Sequence, residues 1–302
     1  MIEVRDLRKE YGGFPAVEGS TFSVESGEVF GIVGPNGAGK TTTLKMLAGL
    51  IEPTSGSVSV AGYDAGDSEM RRRLGFLPEE SPLYEEMTAN TYLHFFADLY
   101  DVPEDVAARR IDETLSELDL EHRDRQLGDV SKGMKRKVAI ARSLINDPDV
   151  LIYDEPASGL DPLTTNYIIE FTSQLAQEGK TIVFSAHNLY HVESICDRVA
   201  IMNEGEIVAR GDLDQLQAEH GETVYRVYTT VEVPDSVAKN GRYVRTVESM
   251  DEVEATREAA SEAGGEVVDI RTDQSSLEEV FLNVADGRSD DRQTTAESNP
   301  EG

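Results

Sequence analysis

An α/β fold followed by a small α+β unit is what the 302-residue sequence predicts, on three observations. The apolar runs Val29–Val33 and Val150–Tyr153 have the length of buried strands, and the first opens into a segment with Leu44, Leu47, Leu50 and Ile51 at helical spacing. Residues 84 to about 128 read mainly helical, with Val106, Ile111, Leu115 and Leu118 forming an apolar stripe. Beyond residue 213 the pattern changes to short strands and helices with no catalytic cluster among them.

Composition bounds the function classes before any motif is read. Lysine and arginine total 28 against 58 aspartates and glutamates, a net charge of −30. A surface of that sign repels DNA, RNA and anionic lipid, and nucleic-acid binding needs a basic face, so no nucleic acid is expected as partner. The balance of eight lysines against twenty arginines, with so many carboxylates, resembles proteins of salt-loving organisms, in which salt screens self-repulsion. No apolar run approaches the roughly 20 residues needed to cross a bilayer, and the N-terminus lacks the apolar segment of a secretory signal. The chain is therefore expected to be soluble and cytosolic. Cys196 stands alone, so no internal disulfide can form.

Taken in chain order, "VFGIVGPNGAGKTTTLKMLAGL" reads as strand, loop and helix. Gly34, Pro35, Asn36, Gly37, Ala38, Gly39, Lys40 and Thr41 fit the phosphate-binding pattern G-x-x-x-x-G-K-[ST]. Its glycines let backbone N–H groups turn toward phosphate oxygens, Lys40 is suited to the β- and γ-phosphates, and the Thr41 hydroxyl to Mg²⁺. A glycine-rich turn with no ligand is the alternative, and the strand-to-helix setting argues against it. In "DVLIYDEP" the second apolar run delivers Asp154, suited to the Mg²⁺ shell, and Glu155, suited to orient and deprotonate water. The phosphate-binding pattern points to a nucleoside triphosphatase or a kinase, and the base-like glutamate favours water as acceptor.

With these motifs in order, the chain resembles the ATP-binding subunit of an ABC transporter over residues 1 to about 215. Gly34–Thr42 looks like its Walker A motif and "LIYDEP" like Walker B. The stretch "VSKGM", with Ser131, Lys132, Gly133 and Met134, looks like its signature. "SGLDP", with Ser158, Gly159, Leu160 and Asp161, looks like its D-loop, and His187 in "FSAHN" like its switch histidine. Tyr11 falls where the family stacks an aromatic on adenine, and Glu79 in "GFLPEE" where it has its Q-loop glutamine. Glu79 is a departure that can still ligate Mg²⁺ or a water. Lys132 and Met134 depart from the common L-S-G-G-Q form, and similar S-K-G-M forms occur in exporter-type members.

The resemblance implies a P-loop NTPase fold, with a mixed sheet core and a helical subdomain at about 84–140 inside an ATPase domain of residues 1–213. It implies ATP and Mg²⁺ as cofactors, and a head-to-tail homodimer or paired ATPase subunit that powers an integral membrane permease from the cytoplasmic side of the cell membrane. In that arrangement Glu155 activates water and His187 contacts the γ-phosphate. The signature serves the ATP held by the partner, with Ser131, Lys132 and Gly133 facing phosphate from a helix N-terminus. Lys135, Arg136 and Lys137, next along that helix, are expected to be a solvated basic face.

The rest of the chain is read as follows. His187 and His191 have i, i+4 metal spacing but lack a third ligand, which disfavours zinc. "RVAIMNEGEIVARG" looks like a closing hairpin. Residues 214–285 form an accessory α+β domain that resembles the C-terminal appendage of drug- and lipid-exporting ABC ATPases, with a capping box at Ser276 and Glu279. Residues 286–302 are polar and acidic enough for disorder. A soluble ABC ATPase of DNA repair or translation, and a phosphotransferase, are the alternatives to a transport ATPase.

Overall fold

The computed structural model describes residues 1–221 and 223–285. They fall into two compact units, Met1–Asp212 and a second that begins at Leu213. The expected disordered tail, 286–302, lies outside the described residues.

The first unit opens with the hairpin β1 (Ile2–Tyr11) and β2 (Phe14–Val24), then β3 (Val29–Val33), α1 (Lys40–Leu47), β4 (Ser55–Val60), β5 (Tyr63–Asp64), α2 (Ser68–Arg72) and β6 (Leu74–Leu77). Three helices follow, α3 (Ala89–Leu99), α4 (Glu104–Glu117) and α5 (Lys132–Leu144). The unit closes with β7 (Val150–Asp154), α6 (Pro162–Gln177), β8 (Thr181–Ala186), α7 (Leu189–Ile195), β9 (Arg198–Asn203) and β10 (Glu206–Asp212).

Two sheets result. One is antiparallel, in the order β2-β1-β4-β5. The other has six strands in the order β10-β9-β3-β8-β7-β6, parallel except for the last hairpin, β9–β10. The mixed sheet is thus present as expected. β3 and β7 are buried along their whole length, the pattern of strands covered on both faces. Leu44, Met46 and Leu47 of α1 share one core with Ile2, Val4 and Phe22 of the first sheet and with Phe30 and Ile32 of the second. Phe22 and Phe30 stack with ring centres 5.3 Å apart. The closing hairpin around "NEG" turns through Glu204 and Gly205, both at positive φ, between the paired Asn203 and Glu206.

The helical segment differs in detail from its expected extent. Residues 84–88 are not helical, because Thr88 caps α3 through a reciprocal capping box with Thr91. Asp119, at φ 49°, takes the chain out of helix after α4, so residues 119–131 hold only a short turn at Leu127–Asp129. Tyr92, Leu93 and Ala97 of α3 and Ile111 and Leu115 of α4 are buried where the helices pack on each other and on α5. That packing disposes of α4's apolar stripe.

The second unit comprises α8 (Leu213–His220), β11 (Thr223–Thr229), β12 (Val237–Lys239), β13 (Arg242–Val247), α9 (Met250–Glu262), β14 (Val267–Gln274) and α10 (Leu277–Ala285). Its antiparallel sheet has the order β12-β13-β11-β14 and packs on α9 through Val227, Val247 and Val253. Asn240 and Gly241, both at positive φ, make the two-residue turn from β12 to β13. The Ser276–Glu279 capping box forms, each residue's side chain accepting from the other's backbone N–H.

One close approach fixes where α5 lies. A Cβ at Gly75 of β6 would fall inside van der Waals contact with the Ser143 carbonyl of α5 and within 2.7 Å of Leu151 Cδ2. Backbone cannot yield as a side chain tip can. Gly75→Ala should therefore lower stability by roughly 1–3 kcal/mol, the usual range for overpacking, read as a lower urea midpoint at unchanged m-value.

Candidate functional site

The phosphate loop leaves the buried end of β3 at Val33 and enters α1 at Lys40. Two glycines are required by contact as well as by conformation. A Cβ at Gly34 (φ 154°) would strike the Met202 carbonyl, and one at Gly39 (φ 101°) would lie 2.5 Å from the Ala16 carbonyl. Gly39 is the N-cap of α1 and brings no capping side chain, so the first-turn N–H groups remain directed out of the helix end. Lys40 is 6% exposed and folds over its own loop, its Nζ donating to the Gly34 carbonyl at 2.7 Å and the Pro35 carbonyl at 3.2 Å.

β7 delivers Asp154, 1% exposed, and Glu155, 8% exposed. In the parallel register Asp154 pairs with Ser185 of β8. The Ser185 hydroxyl donates to Asp154 Oδ1 at 2.7 Å and accepts the Glu155 N–H at 3.0 Å, so one buried side chain orients both acidic residues. Glu155 adopts φ 47°, a conformation that side-chain-bearing residues rarely take and that turns its carboxylate out of the sheet. There Oε2 lies 2.7 Å from His187 Nδ1 and Oε1 lies 3.8 Å from Lys40 Nζ.

These groups converge on a cavity of about 620 Å³, lined by Pro35, Asn36, Gly37, Ala38, Gly39, Lys40, Thr41 and Thr42 together with Glu79, Glu155, Ser158 and His187. Asp154, almost wholly buried, does not line it. Of the other expected site residues, Tyr11 stands half exposed at the β1–β2 turn beside exposed Phe14, with Lys9 Nζ 5.2 Å from its ring centre, and does not line the cavity. Gly159 and Leu160 border an adjoining cavity of about 380 Å³ with His187 and His191. Asp161 caps α6, and the hydrogen bonds from Thr164 hold its carboxyl below the usual carboxylate range. Among the described residues no group of three His, Cys, Asp or Glu side chains could hold a metal ion by itself.

Ser131, Lys132, Gly133 and Met134 do not line the cavity. Ser131 is the N-cap of α5, its Oγ accepting the Met134 N–H at 3.2 Å. A Cβ at Gly133 would press on Thr164, and one at Gly159 would meet the Lys132 ammonium. The signature and the D-loop of one chain are therefore neighbours.

The expectation of a solvated basic face fails at Arg136. It is only 8% exposed, and its guanidinium is enclosed by backbone. Nε donates to the Pro156 carbonyl at 2.7 Å, Nη2 to Asp154 and Glu155 carbonyls at 3.1 and 2.8 Å, and Nη1 to Pro78 and Glu79 carbonyls at 2.7 and 3.0 Å. Burial pushes its pKa down to about 10, against the nearby negative charge of Asp154 and Glu79, and it stays cationic at neutral pH. Its flanking residues behave differently. Lys135 pairs with Glu85 at 3.0 Å, and Lys137 lies over the Tyr167 ring at 4.3 Å, where burial lowers its pKa. The signal for Arg136 was the helical period, since stepping back four residues from Ile140 lands on it. Ser185 had no such signal, because only strand pairing places it beside Asp154.

A family model described as ABC transporter matches residues 17–158. The ABC transporter ATP-binding protein NatA of Bacillus subtilis is 41% identical over 218 residues, covering 70% of this chain and 89% of that protein. The chain belongs to the ABC transporter family, as one of its ATP-binding subunits. This ABC ATPase is also similar to the linearmycin resistance ATP-binding protein LnrL of Bacillus subtilis, 37% identical over 73% of this chain and 72% of that protein. The Nod factor export ATP-binding protein I of Burkholderia orbicola is 38% identical, covering 75% of this chain and 76% of that protein. Among solved structures, an ATP-binding subunit of an ABC transporter has a TM-score of 0.67 at 37% identity, covering 72% of this chain and 92% of that one. A dimeric post-hydrolysis cassette bound to ADP and Pi has a TM-score of 0.65 at 25% identity, covering 70% and 99%. The family's chemistry is ATP hydrolysis, and this ABC ATPase is a member of it.

Removing the Ser185 hydroxyl would leave the buried Glu155 N–H unpaired and Asp154 less constrained. Ser185→Ala should slow steady-state ATP hydrolysis about tenfold or more, because the two acidic residues lose the side chain that orients both. Nucleotide affinity, measured by fluorescent ATP-analogue titration, should change far less.

Proposed function

We propose that this ABC ATPase works as a head-to-tail pair, with each ATP held between the phosphate loop of one copy and the signature of the other. Hydrolysis then drives an integral membrane permease in the export direction. The observation that carries the reading is the Glu155 carboxylate, held between Lys40 and His187 at the wall of a cavity built by the phosphate loop.

In this reading the loop N–H groups and Lys40 hold the β- and γ-phosphates, and Glu155 takes a proton from the attacking water. His187, hydrogen-bonded to Glu155, contacts the γ-phosphate and senses its loss, while Tyr11 stacks on adenine. The donor set suits Mg²⁺, which takes one or two protein oxygens and completes its shell with water and phosphate. Thr41 and Glu79 are hard oxygen donors lining the cavity, and Asp154 would add a third from its buried place at the end of β7. Bound there, Mg²⁺ would neutralise charge between the β- and γ-phosphates.

Several observations support the wider role. Ser131 caps a helix whose N-terminal turn lies outside the chain's own cavity, as a group serving another copy's nucleotide must. Dimeric relatives of known structure favour pairing. Export and resistance in the names of relatives favour an exporter over a soluble ATPase of DNA repair or translation. No helix among the described residues is long and apolar enough to cross a membrane, so attachment at the cytoplasmic side would run through the permease. The unit beginning at Leu213 is read as an accessory domain. The net charge of −30 suits molar salt.

Glu155→Gln should abolish hydrolysis yet trap an ATP-bound dimer on a sizing column. Ser131→Arg should prevent that dimer while leaving ATP binding by the single chain intact. An E155Q protein that hydrolyses ATP at the normal rate would remove Glu155 as base. Separately, thermal unfolding should occur at higher temperature in molar potassium chloride than in dilute buffer, and equal midpoints would end the high-salt reading.

A further inference from the structure

Arg136 belongs neither to the phosphate cavity nor to the solvated surface, and the parallel sheet shows why its position matters. Pairing between β6 and β7 ends at Leu77 and Tyr153. The two chains then part, one toward Glu79 and the other toward Glu155. The guanidinium enters from α5 at that point and bonds the next residues of both, Pro78 and Glu79 on one side and Asp154, Glu155 and Pro156 on the other. Nη1 also lies 3.4 Å from Ser81 Oγ. Among the described residues no other hydrogen bond joins 154–156 to 78–81.

We propose that Arg136 is a positioning residue for ATP hydrolysis, holding the backbone that aims the Glu155 carboxylate and, by the same side chain, the Glu79 loop. The proposal rests on the reading of Glu155 as the base. Three consecutive carbonyls, from Asp154 to Pro156, turn toward one cation, and this is the turn in which Glu155 adopts its positive φ. Charge-assisted bonds to a buried guanidinium are the stronger kind, and its planar fork reaches two separated backbone segments at once. A lysine offers donors from a single point and can satisfy one segment or the other. Arg136 also stands one turn beyond Ser131–Met134, so α5 joins the signature of one half-site to the acidic residues of the other as a single body.

The test is a kinetic split on the full chain, with Arg136→Gln, Arg136→Met and Arg136→Lys measured beside Glu155→Gln. Arg136→Gln and Arg136→Met should lower kcat by about a hundredfold, as when a reacting group is misplaced by about an ångström. KM for ATP should stay within about threefold, because the phosphate loop is untouched. Arg136→Lys should recover part of kcat. Unchanged kcat in Arg136→Gln would overturn the proposal, as would a loss that follows the folded fraction by circular dichroism with lysine no better than methionine. If the neutral variants fail to fold, Arg136→Lys decides: reduced kcat at preserved KM supports the proposal, and wild-type kcat overturns it. An active Glu155→Gln would defeat the reading of the base, whereas an inactive Glu155→Gln beside a fully active Arg136→Gln would defeat only the role of Arg136.

Discussion

Parallel pairing of β6, β7, β8 and β3 is the constraint on which the site depends. Parallel strands present their C-terminal ends along one edge, and each of these ends releases a different chemical group there. β3 releases the phosphate loop, β8 releases Ser185 and His187, β7 releases Asp154 and Glu155, and β6 releases Glu79. Residues more than a hundred positions apart thereby meet, as Lys40 and Glu155 do at 3.8 Å. The antiparallel sheet and α1 supply the apolar mass that covers the strands.

Cations are scarce in this chain, and two of them are spent inside it. Lys40 and Arg136 are both nearly inaccessible, and both are held by backbone carbonyl oxygens while carboxylates stand nearby. A buried charge is costly unless its donors are met, and here carbonyls meet them without requiring full neutralisation. Asp154 and Glu155 are left free to accept other bonds, from Ser185 in one case and with His187 in the other. A chain that is strongly acidic overall is thus compatible with a site suited to a polyanion, because Lys40 stands in the cavity wall at the N-terminus of α1.

The loop between β3 and α1 was legible in the sequence because its conformation is local: eight consecutive residues between a strand and a helix specify a backbone path. The same holds for the adjacent acids after β7 and for the capping box at Ser276, whose groups lie within one turn. Arg136 was misread because three successive basic residues look alike in one dimension, while a helix points them in three directions. The sheet order of the second unit was likewise beyond reach. The pattern beyond residue 213 announces short strands, but nothing local states that β11 and β14 are neighbours, nor that β12 pairs outside β13.

The sequence by itself determined the strand–loop–helix of the loop between β3 and α1, the mixed sheet fold and the family, since these follow from spacing over a few residues and from the order of motifs. Only the tertiary structure decided that Ser185 orients the two acids, that Arg136 bridges the diverging ends of β6 and β7, and that the signature abuts its own D-loop. Those relations depend on strand register and on how closely α5 can approach β6 at Gly75. They arise from contacts between distant segments, which no local pattern encodes.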